Sequence, residues 1–215
     1  MRYGIFSDVH ADLTSAREVV ERLQNHEVDA LVCLGDIVGY GAQPNECVEY
    51  IAGLKNCTVI AGNHDQACSG VIGTENFRPD AAKSVLWTRD MLGEKSKQYL
   101  SQLPLTWKEK DIIVAHASPV DPAGWKYISD AELAREVLEA MDANICFIGH
   151  THYPAVARLR AKECEMAHGG SFAIEDDCKY LVNVGSAGYL RRVPGMVSYV
   201  LYDEKERRIE MFEPR

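Results

Sequence analysis

The sequence predicts an α/β layered fold on two observations. Short apolar runs alternate with helical patterns through the first two thirds of the chain, and after residue 153 the texture turns to short alternating segments. The first pattern places buried strands at Tyr3 to Phe6, Ala30 to Leu34, Thr58 to Ala61, Ile112 to Ala115 and Ile145 to Ile148. The second, "AVARLR", "YLVNVG", "MVSYVLYD" and "RRIEMF", reads as antiparallel strands forming a second sheet of the same domain. Size agrees: a chain of 215 residues, 47% hydrophobic and 26% charged, suffices for one domain over residues 1–215 with a real core.

The helices follow in order. The first is expected from Ser15 to Asn25, with Ser15 and Glu18 at capping-box spacing and Ala16, Val19, Val20 and Leu23 on one face. Pro44, a favoured first-turn residue, opens the second, which turns Cys47, Val48, Ile51 and Leu54 inward. Less regular patterns place helices at Asp80 to Met91 and Ser96 to Gln102, and a clear one at Asp130 to Met141 buries Leu133, Val137, Leu138 and Met141. The segment Ser69 to Pro79 reads as a mobile loop. No repeat, low-complexity tract or linker interrupts the chain.

Charge and composition exclude several functions. A net charge of -9 argues against nonspecific binding to nucleic acid or to an anionic membrane, both of which need a cationic surface. The N-terminus reads directly as the strand "RYGIFS", without a leader, and no apolar stretch is long enough to span a membrane. A soluble, cytoplasmic protein is expected. The seven cysteines are scattered and never form a C-x-x-C pair, so most are expected to be small buried hydrophobes in a reducing compartment.

The polar residues that end the strands carry the chemistry. The strand runs close, in turn, on "SDVH", "GD", "GNHD", "HAS" and "GHTH". Ligands bind in the crevice outside the carboxyl ends of strands in α/β sheets, so these distant groups are expected to converge there. Of the seven histidines, His10, His64, His116, His150 and His152 lie at these ends. In Asp8-x-His10 and His150-x-His152, extended backbone would send both side chains to one side. Two metal ions about 3.5 to 4 Å apart need a bridging anion, and Asp36, beside Gly35 for close backbone approach, supplies one. Two divalent ions give roughly +4 against about -3 from Asp8, Asp36 and a bridging hydroxide, leaving roughly one positive charge to attract a phosphate. Mixed nitrogen and oxygen ligands point to two divalent transition-metal ions, manganese first, with iron, zinc, cobalt or nickel as alternatives.

Taken in order, Asp8-x-His10, Gly35-Asp36, the "GNHD" of Gly62 to Asp65, His116 and Gly149-His150-Thr151-His152 resemble the full motif set of the calcineurin-like metallophosphoesterases. "VNVGSAG" and the closing strands are similar to the small bacterial and archaeal branch, and the resemblance covers residues 1 to 203. It implies a four-layer α/β/β/α sandwich, with two mixed β-sheets packed face to face and flanking helices. It further implies that Asp8, His10, Asp36 and His152 hold one metal ion and Asp36, Asn63, His116 and His150 the other. His64 would hold neither. Facing the scissile phosphate, it would protonate the leaving oxygen as a bridging hydroxide attacks, while Asp65 orients the loop.

The departures bear on substrate. Protein phosphatases and symmetrically cleaving dinucleoside tetraphosphatases of this superfamily carry an Asp-Arg pair shortly after "GD", whereas this chain reads "GDIVGYGAQP". Arg191 in "GSAGYLRR" is the substitute expected to grip phosphate, an ordinary surface arginine being the other reading. Trp125, Tyr127, Tyr40 and Tyr189 lie near motif loops, available to stack a nucleobase or simply to pack. The expected function is hydrolysis of a phosphodiester or nucleotide, with a small phosphorylated substrate as partner. An asymmetric dinucleoside polyphosphate hydrolase and a Ser/Thr protein phosphatase are the enzymatic alternatives, and a noncatalytic interaction scaffold is the alternative from another class.

Overall fold

The structure, a computed structural model, describes residues 1–188 and 197–213. The chain opens by alternating strands and helices: β1 (Arg2–Phe6), α1 (Leu13–Asn25), β2 (Ala30–Cys33), α2 (Pro44–Ala52) and β3 (Cys57–Val59). Three helices follow, α3 (Asn63–Ser69), α4 (Pro79–Met91) and α5 (Glu94–Ser101). A hairpin of β4 (Thr106–Glu109) and β5 (Ile112–Ala115) leads to α6 (Ala131–Ala140) and β6 (Ile145–Ile148). The remainder is strand: β7 (Ala155–Arg160), β8 (Glu163–Ala167), β9 (Gly170–Ala173), β10 (Cys178–Asn183), β11 (Tyr199–Asp203) and β12 (Arg208–Phe212).

These strands form two six-stranded mixed sheets, ordered β3-β2-β1-β11-β12-β9 and β4-β5-β6-β10-β7-β8. Strands β1, β2 and β3 run parallel in the first, as do β5, β6 and β10 in the second. The late strands therefore do not make one antiparallel sheet, as their texture suggested. Strand β11 inserts antiparallel beside β1 and carries β12 and β9 with it into the first sheet, while β7, β8 and β10 complete the second. Alternation specifies which face of a strand is apolar, not which neighbour it meets. Strands β8 and β9 escaped the sequence reading because none of their residues is fully buried.

Alternation within β1 shows how the layers form. Tyr3 and Ile5 face the second sheet and join Val32, Phe147, Val182 and Val200 in the sandwich interior. Phe6 faces the other way, with α1, α2 and α5, packing on Val19, Leu23, Ile51 and Leu100. Gly4 shares that side, and a Cβ there would come 2.8 Å from Leu23 Cδ2, so its absence lets α1 settle on the strand. On the second sheet's outer face α6 places Val137 and Leu138 against Ile148, Leu159 and Leu181. The result is helix, sheet, sheet, helix, with each fully buried Leu, Ile or Phe worth about 1.5–3 kcal/mol.

Helix ends differ from the expectation at two places. Asp12, not Ser15, caps α1, accepting from Ser15 N at 3.0 Å and Ser15 Oγ at 2.8 Å, and Glu18 instead pairs with Arg22 at 2.6 Å. Helix α3 was not anticipated, because "NHDQACS" has no apolar stripe; it starts at the polar site residues themselves and stops at Gly70, whose φ is 87°. Asp130 caps α6 through Glu132 N and Leu133 N. All seven cysteines are free thiols, five of them buried. No helix among the described residues is long and apolar enough to cross a membrane.

Candidate metal centre

The parallel strands of both sheets end at one edge of the sandwich, and the loops beyond them bring the polar residues together. Asp8 and His10 follow β1, Asp36 follows β2, Asn63 and His64 open α3 after β3, His116 follows β5, and His150 and His152 follow β6. Asp36 Oδ2 lies 3.3 Å from His116 Nε2 and 3.8 Å from His10 Nε2. Asp8 Oδ1 lies 3.1 Å from His152 Nε2 and 3.9 Å from His116 Nε2. His10 and His152 bring their Nε2 atoms to 3.0 Å, and His150 Nδ1 stands 3.2 Å from His116 Nε2. All eight side chains are buried.

The backbone achieves this by strain rather than by extension. Asp8, His10, Asp36, His150 and His152 all have positive φ, between 52° and 66°. Both pairs spaced by one residue therefore reach a common volume through left-handed turns, and the extended geometry expected for them is corrected. Such backbone is uncommon outside glycine and persists only where surrounding contacts impose it. Asp8 N donates to Gly35 O and His10 N to Asp36 O, tying the first two loops together. Gly35 has φ 92°, and a Cβ on it would run into Gly62 N, so the loops after β2 and β3 touch only because this residue has no side chain.

Three imidazoles are oriented by backbone carbonyls that motif spacing does not reveal. His10 Nδ1 donates to Val38 O at 3.2 Å, His116 Nδ1 to Leu34 O at 2.8 Å and His150 Nε2 to Trp125 O at 3.0 Å. Each bond fixes a tautomer in which the other ring nitrogen presents a lone pair inward. Asp65 turns away from the cluster: its carboxylate accepts from Ile37 N at 2.9 Å, Val38 N at 3.2 Å and Gly62 N at 3.0 Å. Burial, helped by the charge of Asp36, pushes its pKa up to about 7 against those three donors.

The donor set fits a cation. Burial raises the Asp8 and Asp36 carboxyls, yet the surrounding imidazoles outweigh it and hold both below the usual carboxylate range. Burial pushes His10 down to about 3 and His150 down to about 4. On His116 burial acts the same way, but Asp36 and Asp8 overcome it and lift the ring to about 10. The two buried carboxylates thus demand positive charge at the centre. Asn63 Oδ1 is buried without a hydrogen-bond donor among the described residues, and Asp8 Oδ1 faces the imidazole nitrogens of His10, His116 and His152. Asp8, His10 and His152 form one group able to hold a metal ion, Asp36, His116 and His150 another, with ligand atoms in each within 4.8 Å of one another. His10, Asp36 and His64 form a third such group, again with ligand atoms within 4.8 Å of one another.

Over residues 1–207 the chain matches the calcineurin-like phosphoesterase superfamily domain. It belongs to that superfamily. An uncharacterised protein of Methanocaldococcus jannaschii is 36% identical over 212 residues, covering 97% of this chain and 85% of that protein. A metallophosphoesterase of Sphaerobacter thermophilus superposes with a TM-score of 0.83 at 34% identity, across 100% of this chain and 88% of that one. A Pyrococcus horikoshii protein shares the fold, with a TM-score of 0.77 at 19% identity over 99% of this chain and 87% of that one.

A cleft of about 480 Å³ opens beside the cluster, with His64 and His150 on its walls. Gly39 and Tyr40 fold against His64, and a Cβ on Gly39 would come 2.4 Å from His64 Nδ1. The Tyr40 ring lies 4.8 Å from the imidazole, and His64 Nδ1 is buried without a partner among the described residues. Tyr127 stacks on His150 at 4.1 Å and Trp125 meets His116 edge-on at 6.0 Å, so these aromatics both pack on the histidines and line the cleft. Arg191 and Tyr189 lie outside the described residues. The sequence reading missed Phe77 and Arg78, which enter the cleft from the segment expected to be a mobile loop. Phe77 stands edge-on to His64 at 5.3 Å. An aromatic residue just ahead of a Pro-initiated helix was the available signal.

Proposed function

We propose that the chain is a metal-dependent phosphoesterase that hydrolyses a phosphodiester or nucleotide, with manganese as the first choice of metal. Asp8, His10, Asp36 and His152 would hold one divalent ion and Asp36, Asn63, His116 and His150 a second. The observation that carries this reading is the meeting of two buried donor groups at one edge of the sandwich, with Asp36 between His10 and His116 and the Asn63 amide oxygen without a hydrogen-bond donor among the described residues. The ions, when bound, supply the Lewis acidity that activates water and neutralises phosphoryl charge.

The protein's own groups do the rest. Asp65 holds the loops that carry Asp36 and Asn63 in register through three backbone N–H groups. His64 faces the cleft and serves as general acid to the leaving oxygen. Burial pushes its pKa down and Asp36 opposes that, while an arriving phosphate dianion adds a second force toward the protonated form. Tyr40 and Phe77 keep the imidazole in place and limit water around it. The absent Asp-Arg pair speaks against a Ser/Thr protein phosphatase.

The test is turnover of bis(p-nitrophenyl) phosphate by manganese-loaded protein, with elemental analysis of the same sample. Hydrolysis with about two ions per chain supports the reading. A protein that binds no metal and turns over nothing favours the interaction scaffold.

A further inference from the structure

The cleft extends past His64, and what lies there bears on the leaving group. Among the described residues lining it, Arg78 carries the one lysine or arginine cation. It follows Phe77, whose ring abuts His64, so its Cα stands about 3.8 Å further along the wall. Among the described residues its guanidinium has a single loose partner, Asp80, with Nε 3.9 Å from the carboxylate, and both side chains are about three-quarters exposed, at 75% and 74%. An exposed pair of that kind contributes little and yields readily to a better acceptor. The Nη groups make no hydrogen bond or other ion pair among the described residues. Arg78 is also the N-cap of α4, with no side-chain cap hydrogen bond, and Ala81 of its first turn lines the cleft. Arg78 and the first turn of α4, whose N-terminus is its positive end, therefore border the same space.

We infer that Arg78 is a specificity residue that binds a second phosphoryl group on the leaving-group side, so that the preferred substrate carries two or more phosphates in series. This rests on the phosphoesterase reading above. A single phosphoryl group at the metal centre is already opposed by cations and His64, and it leaves Arg78 without a counterpart. A second one, joined through the leaving oxygen, sits beyond His64 and offers two oxygens to the guanidinium fork. The aromatic walls from Tyr40, Phe77 and Trp125 accept the flat organic part of such a molecule, and the cleft volume of about 480 Å³ suits a nucleotide.

The test measures binding of α,β-methylene-ADP and of AMP to manganese-loaded protein by calorimetry, for the wild type, Arg78→Ala and Arg78→Lys. The wild type should bind the diphosphate about tenfold more tightly. Arg78→Ala should lose that preference, and Arg78→Lys should recover only part of it, because an ammonium lacks the planar fork. Equal affinities in the wild type, or a preference that survives in Arg78→Ala, overturns the inference. Binding is read without turnover, so the two readings fail separately. Failure to hydrolyse bis(p-nitrophenyl) phosphate counts against the hydrolase, and hydrolysis without an Arg78-dependent preference counts against the clamp alone.

Discussion

The interior of the sandwich and the cradle at its edge are equally withdrawn from water, yet they are held by opposite forces. Between the sheets, Ile5, Phe147, Val182 and Val200 are apolar strand residues whose contacts all favour the fold. At the edge, Asp8, His10, Asp36, His150 and His152 are polar and occupy left-handed backbone, and beside them Asn63 Oδ1 is buried without a donor among the described residues. The first region stabilises the second. Burial of polar groups without full satisfaction costs free energy, and a bound ligand is what offsets it. The cradle is a load that the sandwich carries.

Asp36→Asn sharpens the contrast most. The amide keeps an acceptor for His64 N, which donates to Asp36 Oδ1 at 2.9 Å, but removes the charge between the two donor groups. Hydrolysis should fall by a factor of about a hundred or more, with metal content. Unfolding of the metal-free protein should move by about 1 kcal/mol or less. His64→Ala comes next: metal stoichiometry holds, and turnover of esters with poor leaving groups drops about 10²–10⁴-fold, much less with p-nitrophenol. Stopped assays beside elemental analysis check both variants.

Phe147→Ala strikes the other region. Denaturant titration should show a loss of about 3–5 kcal/mol, with two metal sites retained in the fraction still folded. If Phe147→Ala strips metal without unfolding, or Asp36→Asn unfolds the apoprotein, the division between the regions breaks. The smallest effect is expected at Asp12→Ala, which removes the α1 cap two residues past His10 and leaves the metal-competent side chains unchanged: about 1 kcal/mol of stability by the same titration, with metal stoichiometry retained.

Much of the cradle was legible along the chain. Strands that end in Asp-x-His, Gly-Asp, Gly-Asn-His-Asp or His-x-His show their metal-competent side chains locally, and parallel strands in α/β sheets deliver their ends to one edge. The order of those motifs, with the apolar runs before them, therefore determined the layered fold and the residues that meet at Asp36. Other features are relations between distant segments. Strand β11 lies beside β1 rather than in the second sheet, His10, His116 and His150 are aimed by carbonyls from other loops, and Phe77 and Arg78 reach the cleft from a stretch with no periodicity. Only the tertiary structure decided these, because a side-chain pattern specifies which face is buried while partner, register and left-handed turns depend on what the assembled neighbours impose.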